Sequence, residues 1–525
     1  MTVDAPPAAH QGWADESRAR RRLLGGGAWA AADFAFSMLL GLPLTVVLVR
    51  VLPHHVYGSI ATAMSVTVLL SSLVAVGLAD SVARAIARDD PEARPGGTDA
   101  TGPEVVATAW RMSALAAVVG GLLALVVALA LSGSRDSGAS SLVLIAIPMV
   151  MIYPLHSVLI GLVRVSFRPA LSFVASATTS VLVLGATVVV LVAGVRAGAP
   201  VVAVRVVASL LGVAVLGVGM HRTRPRGGLP SRATAGAMLR IGGAVVLVSM
   251  AAAAISQLDV VAVGVFRGEV AAGFYAPLSR LLDVVTGAFV ALGTYALVAL
   301  STAGAKSTEA LARQYHWCTR WTVVALGPIL AVLVVAPAPV LHLLYGAEPG
   351  SASVVVRIIA AAACIHVGLG YNGLGLVALG ESRLVLLQGG VALLVSVVAC
   401  LVLVPLFGID GAAEATALAL VASNLVCSVS LWQRHRVAPL DRAAGTTIAG
   451  FLVALTACLV VEGLAGSNWA VDATTFVVVG ALTFGIATHE GDGWRRQDWS
   501  ALLRGGDARR HADALPSARS DNVAG

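Results

Sequence analysis

VRVLPHHVYGSIATAMSVTVLLSSLVAVGLADSVARAIAR, residues 49–88, contains one full period of the pattern that decides the fold. It opens on a short break with a single cation, Arg50. An apolar run follows over about 57–82, and the stretch closes on a basic break with Arg84 and Arg88, and Arg94 a little beyond. A helix needs about 20 predominantly apolar residues to cross the hydrocarbon layer of a bilayer. The run is long enough, and it lacks the period-2 alternation of a barrel strand.

The same period repeats along the chain. Every second break is basic: Arg18, Arg20, Arg21 and Arg22 in the N-terminal tail; Arg164 and Arg168; Arg222, Arg224, Arg226 and Arg232; Lys306 and Arg313; Arg383; Arg434, Arg436 and Arg442; and the tail from Arg495. The intervening breaks carry single cations, Arg50, Arg135, Arg196 and Arg267. Loops left in the cytoplasm retain Lys and Arg. The alternation therefore predicts cytoplasmic termini and an even number of crossings.

Composition agrees. The chain has 525 residues, 58% hydrophobic and 12% charged, with a mean hydropathy of +0.88. A soluble domain could not hide that much apolar surface, so lipid is the expected solvent. The net charge of +7 sits in the basic loops, where topology explains it without nucleic acid. Cys318, Cys364, Cys400, Cys427 and Cys458 fall in or beside apolar runs, without metal-site spacing; they read as small apolar side chains in packed helices, and no metal or cofactor is expected. The polar, Arg-rich first 26 residues lack a cleavage site, so the first apolar run reads as a retained helix.

The expected fold is an all-α integral membrane protein with fourteen spans, near 27–49, 57–82, 105–132, 139–162, 170–194, 200–220, 240–264, 272–299, 317–337, 352–378, 383–404, 410–432, 443–464 and 471–488. The third and ninth start at 105 and 317, the fourth and tenth at 139 and 352, the fifth and eleventh at 170 and 383, the sixth and twelfth at 200 and 410. This nearly constant offset is an internal repeat. VLVRVLPHHVYGSIA (Val47–Ala61) also lies over AVGVFRGEVAAGFYA (Ala262–Ala276). Six helices are an even number, so the two halves share one orientation, a parallel repeat of transporter type with a central cleft. The expected organisation is a cytoplasmic tail (1–26), an N-lobe (27–220), a cytoplasmic linker (221–239), a C-lobe (240–437), two extra helices (438–488) and a cytoplasmic tail (489–525).

These residues carry a resemblance. Val49–Asp80 followed by SVARAIA resembles the opening of the multidrug/oligosaccharidyl-lipid/polysaccharide (MOP) exporter superfamily, in its Wzx-like polysaccharide-biosynthesis flippase branch. LDVVAVGVFRGEVAAGFYAPLSRLL (Leu258–Leu282), LLYGAE (Leu343–Glu348) and PLFGIDGAAEATALA (Pro405–Ala419) match in order and spacing, and the likeness spans roughly 20–435. It implies two six-helix lobes plus two helices, and outward movement of a lipid-linked glycan by alternating access in the cytoplasmic membrane, with an ion gradient as driving force. The implied partners are the lipid-linked glycan, the bilayer, and a polysaccharide polymerase or glycosyltransferases. The lipid II flippase pattern, with an Arg-Asp pair in the first helix, fits less well, because Leu42–Val47 is uncharged. Drug exporters of the superfamily usually have twelve helices and often an acidic residue in the first; Asp33 keeps a multidrug or cation antiporter as the alternative.

Ionisable groups at membrane depth are expensive unless paired or wet, so each is a candidate. Asp283 lies about 16 Å into the eighth helix, near the midplane, with Arg280 three residues earlier on the same face. They read as a packing pair or as a cleft-lining cation and its partner; a guanidinium there suits a pyrophosphate. Arg205 and Arg357 are shallower substrate-binding candidates, which snorkelling to the interface would also explain. Asp259 and Asp33 are coupling-ion candidates or interfacial residues. Asp80 and Arg84, four apart, read as a surface pair or a cytoplasmic gate. Glu414, Asn424, Asn372 and Gln388 read as hydrogen-bonding glue between helices.

A membrane glycan polymerase or ligase is the enzymatic rival. Such an enzyme presents carboxylates or His on a sizeable outer loop. Here the longest, Ala338–Ser351, has about fourteen residues, and its His342 and Glu348 have no evident partners. GAKST (Gly304–Thr308) lacks the glycine a nucleotide-binding loop needs before its Lys, and GYNGLG (Gly370–Gly375) falls within a span, where glycine permits close packing or unwinding.

Overall fold

Backbone amides inside hydrocarbon must be satisfied within their own segment, which leaves helices or a closed barrel. The computed structural model describes residues 29, 32–75, 77–87, 102–133, 138–166, 168–221, 228–346, 352–466 and 469–489. Among them there are helices and no strand. Fourteen spans are long and apolar enough to cross a membrane. The terminal tails, the cations Arg88, Arg94, Arg135, Arg222, Arg224 and Arg226, and Glu348 lie outside the described residues.

The first lobe comprises α1 (Ala32–Val51), α2 (His54–Val74), α3 (Leu78–Ala87), α4 (Gly102–Ser132), α5 (Gly138–Val165), α6 (Pro169–Val192) and α7 (Gly198–Met220). The second comprises α8 (Arg232–Arg267), α9 (Glu269–Gly304), α10 (Thr308–Val335), α11 (Pro337–Tyr345), α12 (Ala352–Leu369), α13 (Asn372–Ala378), α14 (Ser382–Phe407) and α15 (Ile409–His435). α16 (Arg442–Ala465) and α17 (Trp469–His489) follow and pack on α10. There Phe451 lies over Gly327, Pro328 lies against Gly480, and Trp321 meets Phe484 edge-on. The outward faces stay apolar: Val192, Val218 and Leu464 are among the most exposed side chains, as expected of a surface solvated by lipid.

Local chemistry sets the boundaries. Ser231, Ser307 and Asp441 cap α8, α10 and α16, their side chains accepting from Thr234 N, Ala310 N and Ala444 N. Gly268 (φ +89°) and Gly408 (φ +67°) make the abrupt turns from α8 to α9 and from α14 to α15. Two spans are interrupted. Between α2 and α3 the backbone passes through Gly77 (φ +58°), and between α12 and α13 through Gly370 (φ +63°), inside the GYNGLG stretch. α8 begins at Arg232 rather than near 240, so its first turns cover part of the stretch read as linker. The stretch Ala338–Ser351, expected to be an outer loop, is corrected more substantially: α11 covers it as far as Tyr345. Two guanidine donors of Arg50 hold α11 in place, bonding to the carbonyls of Leu343 and Leu344 near its C-terminus.

Single-pass helices joined by short connections collect alternate breaks at opposite ends of the bundle. Arg84, Arg164, Arg168, Arg232, Lys306, Arg313, Arg383, Arg434, Arg436 and Arg442 gather at one end; Arg50, Arg196 and Arg267 mark the other.

Candidate functional site

Between the lobes, α1, α2, α5 and α6 enclose a cavity of about 410 Å³ together with Arg205 of α7, Gln257 of α8, and Arg280 and Asp283 of α9. Arg280 Nη1 donates to Asp283 Oδ2 at 2.7 Å, one helical turn away. Its Nη2 lies 3.4 Å from Gln257 Oε1, which also accepts from the Ser65 hydroxyl of α2 at 2.8 Å. Gln257 thereby fixes the guanidinium against the other lobe. Arg205 faces the same cavity, and its Nε is buried without a hydrogen bond. Among the described residues it has no carboxylate partner. Two guanidinium groups thus face the cavity against one carboxylate, and no other charged side chain lines it among the described residues. The local charge is positive, in a site where weak screening makes that charge count.

The lobes are fastened together at the Arg-poor end. Glu269, at the start of α9, accepts from the Ser59 hydroxyl of α2 at 2.5 Å and from the Ala139 amide at the start of α5 at 2.6 Å. This places a carboxylate on a helix N-terminus, where unsatisfied amides and the helix dipole favour it. Beside it Gly58 and Gly273 let α2 and α9 meet backbone to backbone: a Cβ on Gly58 would overlap the Glu269 carbonyl, and one on Gly273 the His54 carbonyl. The His54 ring lies against Phe274, 4.0 Å between ring centres and tilted by 31°. Toward the Arg-rich end, α8 bridges to the first lobe. Ser81 donates to the Met238 carbonyl at 3.1 Å, and Thr234 to Glu104 Oε1 at 2.6 Å.

The structure brings Arg280, Asp283 and Arg205 together and leaves the other candidates elsewhere. Arg205 points into the cavity instead of snorkelling to the interface. Arg357 does not reach the cleft: its guanidinium donates to Val335 O at 2.8 Å and pairs with Glu462 of α16 at 3.0 Å, so it ties α12 to an added helix. Asp259 is 1% exposed and sits behind the cleft, where its carboxylate accepts from Tyr275 (2.7 Å), Thr416 (2.9 Å) and the Val260 amide (2.8 Å). Asp33 lies beside α6, with Ser176 at 3.4 Å and Oδ1 buried without a partner. Asp80 does not pair with Arg84; it takes Arg164 of α5 at 2.9 Å, and Arg84 remains exposed. Three of the four glue residues do bridge helices. Gln388 donates to Ser423 at 2.8 Å, and Asn372 to Ser428 at 3.0 Å; Asn424 bonds His366 at 2.9 Å. Glu414 makes no such bond among the described residues.

The sequence reading missed Gln257, Tyr57, Thr179 and Ser180, all of which line the cavity. The run SATTS (Ser176–Ser180), a block of hydroxyls within an apolar span, was the one signal for Thr179 and Ser180. All five cysteines are unpaired.

Comparison with known proteins places this geometry. A family model described as "Polysaccharide biosynthesis protein" matches residues 24–301. No curated protein sequence matches. Among solved structures the chain is similar to the lipid II flippase MurJ in its inward closed conformation, with a TM-score of 0.69 at 12% identity over 90% of this chain and 99% of that one. It is also similar to the MATE multidrug transporter DinF-BH, with a TM-score of 0.60 at 13% identity over 80% and 97% of the two chains. A MOP superfamily transporter from Pyrococcus furiosus, described for a binding pocket of reverse polarity, gives 0.57 at 14% identity over 79% and 95%. Likenesses at identities this low show a shared fold, and not a substrate.

Proposed function

We propose that this chain, which belongs to the polysaccharide biosynthesis protein family, carries a lipid-linked oligosaccharide from the inner to the outer leaflet by alternating access. The observation that carries the reading is the charge of the cleft. Arg205 and Arg280 face Asp283 alone, which leaves one cation of the cleft uncompensated. A polyprenyl-pyrophosphate headgroup supplies the missing anion, and a guanidinium can bind its oxygens through two parallel donors. A multidrug or cation antiporter would need the opposite sign, because a cationic drug entering this cleft meets net repulsion. A glycan polymerase or ligase would need catalytic groups at the outer surface, but that surface's longest connection is taken up by α11, fastened by Arg50.

The Arg-rich end faces the cytoplasm in this reading, in a bacterial cytoplasmic membrane. Glycosyltransferases deliver the lipid-linked unit there, and a polymerase receives it on the other side. Deleting the gene should leave glycan synthesis running while lipid-linked units accumulate in the inner leaflet. Normal arrival of those units at the outer leaflet, in a strain with no second exporter, would show the reading to be wrong.

A further inference from the structure

A second compartment, of about 370 Å³, adjoins the charged cleft and shares Thr67, Val68, Met149, Thr179 and Ser180 with it as common wall. Along α2 the shared residues precede Ser71 and Ser72, so the compartment lies on the side of the cleft nearer the Arg-rich end. Its chemistry differs from that of the cleft. Hydroxyls come from α2, α6 and α7, a Tyr and a His from α5, and among the described residues no charged side chain lines it.

Serine and threonine in membrane helices usually bond back to a carbonyl one turn earlier. Thr67 and Thr179 do so, to Ala63 O at 2.8 Å and Ala175 O at 3.0 Å, and keep lone pairs free to accept. The hydroxyls of Ser71, Ser209 and Tyr153 and the His156 ring make no hydrogen bond among the described residues, although all four side chains line the compartment. Groups arranged only to tighten helix packing would be bonded to one another or to backbone. These are available to a ligand. Ile152, Val213 and the face of Tyr153 complete an apolar part of the wall.

We propose that this compartment is a sugar subsite, shaped for an uncharged, polyhydroxylated sugar unit; the proposal rests on the lipid-linked glycan reading above. A sugar ring offers hydroxyls around its edge and C–H patches on its faces. Rotatable hydroxyls, each able to donate once and accept twice, match the edge, while the aromatic and aliphatic wall matches the faces. An acidic sugar would surrender its hydration with no cation to replace it. With the pyrophosphate at Arg280, the attached sugar extends toward the Arg-rich end and reaches this wall.

The test uses the full-length protein in lipid nanodiscs and three probes: bare polyprenyl pyrophosphate, the same carrier bearing an uncharged disaccharide, and the carrier bearing a uronic-acid disaccharide. The parent protein should bind the neutral glycolipid best, and the acidic one at least tenfold more weakly. Combining Ser71→Ala, Ser209→Ala and Tyr153→Phe removes three side-chain hydroxyls at little change in volume. It should weaken the neutral glycolipid about tenfold, as expected for losing one to two kcal/mol of hydrogen bonding. The bare carrier should still bind the variant as it binds the parent, which also reports that the variant is folded. The proposal is overturned if the variant loses both lipids equally, if it loses neither, or if the acidic glycolipid binds the parent as well as the neutral one. A parent protein that binds no polyprenyl-pyrophosphate probe would instead bring down the transport reading, and the subsite with it.

Discussion

Arg280 has two partners in the resting cleft, Asp283 and Gln257, and the account assigns it a third in the headgroup. Arg280→Ala should reduce transport by about ten- to a hundredfold, the range for losing a charge-assisted contact. Arg280→Lys keeps the charge without the planar fork and should retain part of the activity. The double variant Arg280→Ala with Asp283→Ala separates binding from packing. If the pair only packs α9, removing both charges should restore transport, since no buried charge is left alone; the account expects a stably inserted, inactive protein. Depth and spacing on one helix made this pair readable in the sequence. Arg205 was harder to place, because its position in a helix says nothing about the direction of its side chain. For Asp80 the near neighbour Arg84 lost to Arg164, a partner from another helix that spacing along one segment does not reveal. Arg357 was misjudged for the same reason, its carboxylate arriving from α16.

The contact between α2 and α9 holds the two lobes together at the Arg-poor end, and in this reading it seals the outer mouth. Gly58 and Gly273 allow the backbones to touch where Glu269 joins α9 to α2 and α5. Gly273→Val places a branched side chain against the His54 carbonyl. Overpacking of this kind costs about 1–3 kcal/mol, enough to shift the closed population roughly five- to a hundredfold toward an open outer mouth. A cysteine at Ala61, a buried cleft-lining position, should then react faster with an impermeant thiol reagent added outside. An unchanged rate in a well-expressed Gly273→Val variant would show that this contact does not close the mouth. The sequence anticipated the spans well, since length and hydropathy suffice for that, and it left close packing or unwinding open at Gly370–Gly375, of which the structure shows the interruption at Gly370. It did not reveal α11. Pro337 closed the ninth expected span and Pro339 fell in the expected loop, yet a first helical turn tolerates proline because its amides lack intrahelical partners anyway.

At the scale of the whole molecule, the repeat offset and the alternating breaks were enough to anticipate two lobes and one cation-rich end. How the lobes meet was not legible, since the meeting depends on glycines and capped helix ends that resemble many others in the chain. The orientation of that end is open to direct measurement. A cysteine within the Arg222–Arg232 segment should resist an impermeant reagent in intact cells, in a background without other reactive thiols. One between Gly466 and Trp469 should react; reversed labelling would invert the account and place the Glu269 closure at the cytoplasmic mouth. The central claim is that a net positive cleft moves an anionic glycolipid, and its most direct test is flipping by purified protein in proteoliposomes. A labelled polyprenyl-pyrophosphate oligosaccharide should cross between leaflets at a rate that falls to the protein-free level in Arg205→Ala with Arg280→Ala, while a cationic dye stays where it was loaded. A protein that moves the dye and leaves the glycolipid in its original leaflet would contradict the account.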